Sequence, residues 1–118
     1  MAQIHEYPVT VSWTGGKEGS GKASCGNTGT SFPLSVGREY GGPGAGTNPE
    51  ELLTSAIASC WAITFGIIAA NRKIPVLNVE ASAVGEVVQD GMQFTFTKIT
   101  LRPKITIESA SGDAKVAR

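Results

Sequence analysis

The 118-residue chain is 41% hydrophobic and 17% charged, a composition typical of one globular domain and not of a disordered segment. Ten basic and ten acidic residues give a formal net charge of zero, so the chain lacks the basic surface that holds a nucleic-acid backbone. Two cysteines and one histidine are too few for a disulfide scaffold or a zinc site, and this usage favours the reduced cytoplasm.

The N-terminal third has the pattern of a strand meander. Residues 1–7 contain no apolar block, so they do not predict a signal peptide. Val9, Val11 and Trp13 alternate with polar residues, which predicts a strand with these three side chains on one face. Two weaker strand patterns follow, separated by a turn-like Asn-Thr-Gly. The three predicted strands are residues 9–13, 21–26 and 31–36.

A glycine-rich loop leads into a strong helix start. Five of the ten residues from 37 to 46 are glycine, which predicts a loop with unusual backbone conformations. Asn48 can cap a helix, Pro49 suits its first position, and Glu51 completes a capping box. The helix is predicted to continue through residues 52–70 and to end at the Asn-Arg-Lys that follows.

The middle of this helix has two interpretations, because residues 52–70 are nineteen without a charge. That length is sufficient to cross a bilayer. Several small or polar residues dilute the hydrophobicity, however, and the flanking strands need a core to cover. We therefore predict a central helix buried by protein, and no membrane span.

The C-terminal part predicts a hairpin and a further helix. Apolar alternation from Leu77 to Ala83 predicts a strand, and Asp90-Gly91 predicts a two-residue turn. The return strand changes phase at Thr97-Lys98, which predicts a bulge. Residues 109–118 are predicted to begin a helix that is incomplete here. The predicted fold class is therefore α+β.

Cys60 lies midway along the predicted helix among mostly apolar neighbours. A free cysteine in such surroundings is commonly an inert core residue. Burial raises the pKa of a thiol, so a nucleophilic cysteine here would need a cation beside it. The helix N-terminus, roughly 16 Å away, is too distant to fill that role.

Arg38, on the glycine-rich loop, is the candidate for this cation. A guanidinium stabilises a thiolate and offers paired donors to a peroxide oxygen. The alternative is a solvated arginine paired with Glu39. Glu50 could orient Arg38 through a two-point salt bridge, or could only complement the helix dipole.

These residues together resemble the osmotically inducible protein C / organic hydroperoxide resistance family. The resemblance rests on Arg38, the glycine-rich loop, Thr47-Asn-Pro-Glu-Glu-Leu52 and Ala58-Ser-Cys60, and it extends from about Ile4 to the end of the chain. It implies a single domain over residues 1–118 that forms intertwined homodimers with sites at the interface. It also implies that Cys60 attacks a peroxide and that Arg38 and Glu50 help to activate it.

Two positions separate this chain from parts of that family. The Arg-Glu-Tyr-Gly loop is similar to the osmotically inducible branch, whereas the other branch has an arginine just after the first strand, where this chain has Lys17. Members of the family carry a resolving cysteine in a C-terminal helix, so we expect residues 1–118 to be a truncated domain. Cys25 does not match the resolving position and is interpreted as structural.

The expected activity is reduction of an organic hydroperoxide to an alcohol, with Cys60 oxidised to a sulfenic acid. A resolving thiol would then form a disulfide with Cys60, and an external dithiol would reduce it. This chemistry requires no metal or organic cofactor. The rival interpretation is a non-enzymatic relative that binds a small hydrophobic ligand at the dimer interface. Glu50 and Cys60 are ten residues apart, roughly 15 Å along one helix, so a shared site would combine Glu50 of one chain with Cys60 of the other.

Overall fold

The structure is a computed structural model that describes residues 2–109 and 114–117. The chain consists of two compact units, Met1–Pro49 and Glu50–Arg118. The N-terminal unit holds an antiparallel sheet of order β1-β2-β3, formed by β1 (Val9–Thr14), β2 (Ser20–Cys25) and β3 (Ser31–Leu34). The other unit follows the start of helix α1 (Pro49–Asn71) and holds an antiparallel sheet of order β4-β5-β6, formed by β4 (Val76–Asp90), β5 (Gln93–Glu108) and β6 (Ala114–Ala117).

The N-terminal sheet confirms the predicted meander, and the third strand ends two residues earlier than expected. Trp13 stands opposite Gly21 in the β1–β2 register, and its ring occupies the space that a side chain at Gly21 would fill. The indole Nε1 of Trp13 donates a hydrogen bond of 2.9 Å to the Gly15 carbonyl. Gly15 has a φ of 98°, a conformation that glycine adopts without steric cost. Trp13 thus contacts both the paired strand β2, at Gly21, and the turn that follows β1, at Gly15.

Residues 35–47, here called the arginine loop, begin just after β3 and end beside the same strand. Both ends are fixed by backbone hydrogen bonds, because the Ser35 N–H donates to the Thr47 carbonyl and the Thr47 N–H donates to the Pro33 carbonyl. Inside the loop a short 3₁₀ turn, Arg38–Tyr40, carries the candidate arginine. Gly41 and Gly44 have φ values of 82° and 61°, so the predicted glycine-dependent backbone is confirmed.

Helix α1 begins at Pro49 and ends at Asn71, as its capping signals predicted. Glu50 and Glu51 lie in its first turn, where their charge complements the positive end of the helix dipole. Beyond its end Lys73, with a φ of 57°, turns the chain toward β4. By length and composition α1 is long and apolar enough to cross a membrane.

The predicted burial of α1 is not found within the single chain. Ala69 is the buried residue of this helix, while Ile63 and Ile67 remain 63% and 57% exposed. The physical reason is that a helix covered on one side keeps its opposite face open. The half-buried face carries Thr54, Ala58, Trp61, Phe65 and Ala69 at helical spacing. The exposed apolar face carries Leu53, Ile57, Ile63, Ile67 and Ile68.

Strands β4 and β5 form a long hairpin whose inner face meets α1 at Gly85. A side chain at Gly85 would collide with the Thr54 hydroxyl and the Phe96 ring, so the glycine permits close approach of helix and sheet. The hairpin turn consists of Gly91 and Met92, since Asp90 pairs with Gln93. The turn therefore lies one residue later than predicted.

The predicted bulge is confirmed at Thr97. Glu86 pairs with Lys98 and Val87 pairs with Phe96, which leaves Thr97 as the extra residue. The Thr97 hydroxyl donates to the Glu86 carboxylate at 2.8 Å, and Lys98 Nζ lies 3.5 Å from the same carboxylate. The Thr97 hydrogen bond, followed by the Lys98 charge, lowers the pKa of Glu86.

The predicted helix over residues 109–118 is wrong for residues 114–117, which form β6. This strand pairs antiparallel with Ile105–Glu108 of β5. An unpaired edge of a long strand offers hydrogen-bonding partners that outweigh the weak helical signal of a short segment. Residues 110–113 and 118 of that prediction lie outside the described residues.

Candidate functional site

Cys60 lies on α1 with an exposed side chain. Its Sγ is 3.9 Å from the hydroxyl of Thr64, one turn further along the helix. The rings of Trp61 and Phe65 stack beside it with centroids 5.3 Å apart. The thiol is therefore accessible from solvent and lies beside a stacked aromatic pair.

A groove of about 470 Å³ lies along this side of the helix and is lined by Ile57, Cys60, Trp61, Thr64, Phe65, Ile68 and Leu101. We call it the cysteine groove. Among the described residues that line it, none is charged. The groove can accept an apolar chain or ring next to the thiol. A cation that favours the thiolate must come from outside this set of side chains.

Arg38 belongs to the N-terminal unit, on the arginine loop. Its Nε donates a long hydrogen bond of 3.5 Å to the Pro43 carbonyl. The side chain crosses Gly44, because a Cβ on that glycine would lie 2.7 Å from Arg38 Cγ. The Glu39 carboxylate instead lies against Gly37. In this loop Arg38 contacts Pro43 and Gly44, and Glu39 contacts Gly37.

Glu50 and Cys60 lie on the same helix, at different positions along its axis. The Glu50 carbonyl accepts a hydrogen bond of 2.9 Å from the Thr54 hydroxyl. Glu50 and Cys60 are ten positions apart in one continuous helix, which places them roughly 15 Å apart along its axis. The helix therefore keeps these two predicted site residues apart within one chain.

Lys17 is a cation whose placement the sequence did not reveal. Its Nζ would lie 3.4 Å from a Cβ on Gly41, so it extends over the arginine loop. Its carbons Cδ and Cε approach the same point to 3.5 and 3.8 Å. Lys17 thus lies over the loop that carries Arg38. The signal that could have indicated this is the lack of a side chain at position 41.

The described residues of the unit that contains Cys60 include no second cysteine and no group of potential metal ligands. Cys25, at the end of β2, is a partly exposed free cysteine whose backbone N–H donates to the Thr30 carbonyl at 2.7 Å. Its structural interpretation stays a prediction. No group of three or more potential metal ligands occurs among the residues that the structure describes.

An antiparallel N-terminal sheet, an apolar helix with an exposed thiol and a long hairpin define a small α+β protein with a cysteine-bearing helix. The chain belongs to the OsmC-like protein family, whose model matches residues 42–118.

Two known proteins show how far the similarity extends. The chain is 32% identical over 117 residues to the uncharacterized protein YmaD of Bacillus subtilis, a match that covers 99% of this chain and 76% of that protein. It is also similar to the structure of an OsmC-like protein of unknown function from Vibrio cholerae, with a TM-score of 0.77 and 21% identity. That match covers 91% of this chain and 78% of the other. The second likeness shows the α+β fold.

Proposed function

We propose that this protein is a cysteine-based peroxidase that reduces organic hydroperoxides, with Cys60 as the attacking thiol. The observation that carries the proposal is the position of Cys60, whose exposed Sγ borders an apolar groove of about 470 Å³. An apolar groove favours a peroxide with a hydrocarbon chain or ring over hydrogen peroxide. Membership of the OsmC-like family suggests a peroxidase or stress-related role, and we place the protein in the cytoplasm.

The proposed reaction uses one thiol and an external dithiol. The Cys60 thiolate attacks the terminal oxygen of the hydroperoxide, so that an S–O bond forms and the O–O bond breaks. The alkoxide that leaves takes up a proton and becomes the alcohol, while Cys60 becomes a sulfenic acid. One thiol of the reductant then condenses with the sulfenic acid and releases water. Its second thiol displaces Cys60, which returns as a thiol, and the reductant leaves as a disulfide.

Arg38 and Glu50 would assist this reaction in a homodimer. No charged side chain lines the described part of the cysteine groove, and Arg38 is the cation proposed to stabilise the thiolate. The exposed apolar face of α1 supports a second copy of the chain as its cover, since large exposed apolar surfaces mark association sites. The separation of Glu50 from Cys60 along one helix supports a site built from both copies.

The test of the proposal is Cys60→Ser. We expect this variant to keep its fold and to lose hydroperoxide consumption completely, because a serine hydroxyl is not ionised at neutral pH and occupies a similar volume. The measurement is the rate at which cumene hydroperoxide disappears in the presence of a dithiol.

The matched control is Cys25→Ser, which removes the other cysteine of the sequence. We expect it to retain activity, so that loss in Cys60→Ser alone assigns the reaction to the helix thiol. Turnover by Cys60→Ser at the wild-type rate would refute the proposal.

One alternative function has an observation in its favour. The cysteine groove, with its stacked Trp61–Phe65 pair, would also suit a small apolar ligand bound without reaction. The two functions differ in the fate of the thiol. Rapid and complete oxidation of Cys60 by one equivalent of cumene hydroperoxide, seen by mass spectrometry, supports the peroxidase and excludes simple binding.

A further inference from the structure

We propose that Gly44, together with the Pro43 carbonyl, forms a seat that holds the Arg38 side chain in one orientation, which makes Gly44 a positioning residue of the proposed peroxidase site. The inference rests on the proposed function for its role in turnover. The geometry of the seat itself lies within the arginine loop.

The seat is built from two contacts on the same side chain. A Cβ on Gly44 would lie 2.7 Å from Arg38 Cγ and 2.8 Å from Arg38 Nε, closer than non-bonded carbon atoms approach. Arg38 Nε also donates to the Pro43 carbonyl at 3.5 Å. The aliphatic part of the arginine thus rests on a residue without a side chain, and its Nε is directed at the preceding carbonyl.

This arrangement leaves the end of the guanidinium available. Arginine has five N–H donors in a fixed planar fork. The Nε–H is directed at the Pro43 carbonyl, and the terminal nitrogens carry the other four N–H donors, which we propose face a ligand. A thiolate or a peroxide oxygen would meet donors whose direction is already set, which reduces the entropy lost when they bind.

The loop in turn holds the seat in place. The Gly44 N–H donates to the Val36 carbonyl at 3.1 Å, which ties the seat to the residues just after β3. Gly44 has a φ of 61°, so glycine is favoured there for its backbone as well as for the space above it. A test must therefore separate backbone strain from contact with Arg38.

The chain offers a matched control for that separation. Gly91, in the β4–β5 turn, has a φ of 62°, and a Cβ added there would meet no atom of the described residues within 4 Å apart from its two chain neighbours. Gly44→Ala and Gly91→Ala therefore impose similar backbone strain, and only Gly44→Ala strikes Arg38. Gly44→Asn and Gly91→Asn form a second pair, because asparagine tolerates positive φ better than alanine does and preserves the test should Gly44→Ala fail to fold.

The first measurement concerns the seat alone. In ¹⁵N NMR spectra, the Arg38 Nε–H signal should report a restrained side chain in the wild type and in Gly91→Ala, and a mobile one in Gly44→Ala. An Arg38 side chain that is equally mobile in the wild type and in Gly44→Ala would overturn the seat. This outcome does not depend on whether Cys60 reduces peroxides.

The second measurement concerns turnover. We expect Gly44→Ala to lower kcat/KM for cumene hydroperoxide about 10- to 100-fold, within the range caused by loss of a positioned donor, and Gly91→Ala to leave it unchanged. In an Arg38→Ala background, Gly44→Ala should cause no further loss, because the group that it displaces is absent. A full additional loss in that background would show a structural role only. Activity in Cys60→Ser would instead refute the proposed function and leave the seat standing.

Discussion

Arg38 and Cys60 lie in very different surroundings for two residues that are proposed to act together. The arginine rests on a loop closed at both ends by backbone hydrogen bonds, whereas the cysteine is fixed by a helix and bordered by aromatic rings. Each residue is thus held by its own local structure. The proposed chemistry depends on the two side chains presenting a cation and a thiol in fixed directions.

The first prediction at this scale is that Arg38→Lys lowers kcat/KM for cumene hydroperoxide by about 100-fold, although the positive charge is kept. An ammonium group has no planar fork and cannot donate to the Pro43 carbonyl and to a ligand in the same fixed plane. The control is Arg102→Lys, the same substitution on β5 outside the cysteine groove, which should leave the rate unchanged. Equal rates for the wild type and Arg38→Lys would show that Arg38 is only a solvated charge.

Sequence patterns predicted where the candidate residues lie in the fold, but they did not predict which side chains and backbone groups those residues contact. The capping signals of Asn48 and Pro49 placed the helix start correctly, and with it the position of Cys60. The seat under Arg38 and the placement of Lys17 over Gly41 were not predicted. Glycines mark where a side chain is forbidden, but they do not say which neighbour occupies the space.

At the scale of elements, the contact between α1 and the hairpin depends on Gly85. A Cβ at this position would meet the Thr54 hydroxyl and, at 2.7 Å, the Phe96 ring. Thr54 cannot move freely, because its hydroxyl donates to the Glu50 carbonyl. The helix and the strand therefore approach each other as closely as a glycine permits.

We predict that Gly85→Ala lowers the free energy of unfolding by about 1–3 kcal/mol, the usual cost of overpacking a fitted contact. The measurement is urea denaturation followed by circular dichroism. Gly66→Ala is the control within α1, because among the described residues no atom outside its chain neighbours and the adjacent helix backbone lies within 4 Å of its added carbon. That substitution should raise stability by about 1 kcal/mol, since alanine favours helix. A neutral or stabilising Gly85→Ala would contradict the close packing of helix and hairpin.

Elements with a repeating pattern were predicted well, and short terminal segments were not. The phase change at Thr97-Lys98 gave the bulge correctly, because a single extra residue must reverse the side-chain alternation. The segment 114–117 was predicted as helix and forms a strand. Its conformation is decided by pairing with the open edge of β5, a tertiary contact that the residue propensities of a four-residue segment do not show.

For the whole molecule, the exposed face of α1 is one of the apolar surfaces that a single chain leaves uncovered. Ile63 and Ile67 on this face remain more than half exposed, which is unfavourable in water. The sequence indicated a helix in need of cover but not what covers it. The proposed homodimer supplies that cover and would bring Glu50 of one copy toward Cys60 of the other.

We predict that mixing two impaired variants, Cys60→Ser and Glu50→Gln, restores activity in hybrid dimers. A site shared between chains has one intact copy in the hybrid, because its cysteine and glutamate come from opposite chains. The other site carries both lesions. The variants should be co-expressed with different tags, the doubly tagged species purified, and hydroperoxide reduction measured.

The reference for this experiment is the Glu50→Gln homodimer. A site built within one chain would show no recovery, since each chain would then hold one lesion in its own site. Activity of the hybrid at or below that of the reference would contradict the shared site.

The order of the strands also bears on how the protein reaches this state. Each described strand pairs with its neighbour in sequence, in both the β1-β2-β3 and the β4-β5-β6 sheet. Such local pairing closes only short loops, so the entropy that opposes it is small and folding of each sheet is fast. Association of two chains is a bimolecular step that depends on concentration. If the protein forms the proposed dimer, the apolar helix of a newly synthesised chain stays exposed to water until that chain meets a second one. The time spent in this exposed state becomes shorter as the protein concentration rises.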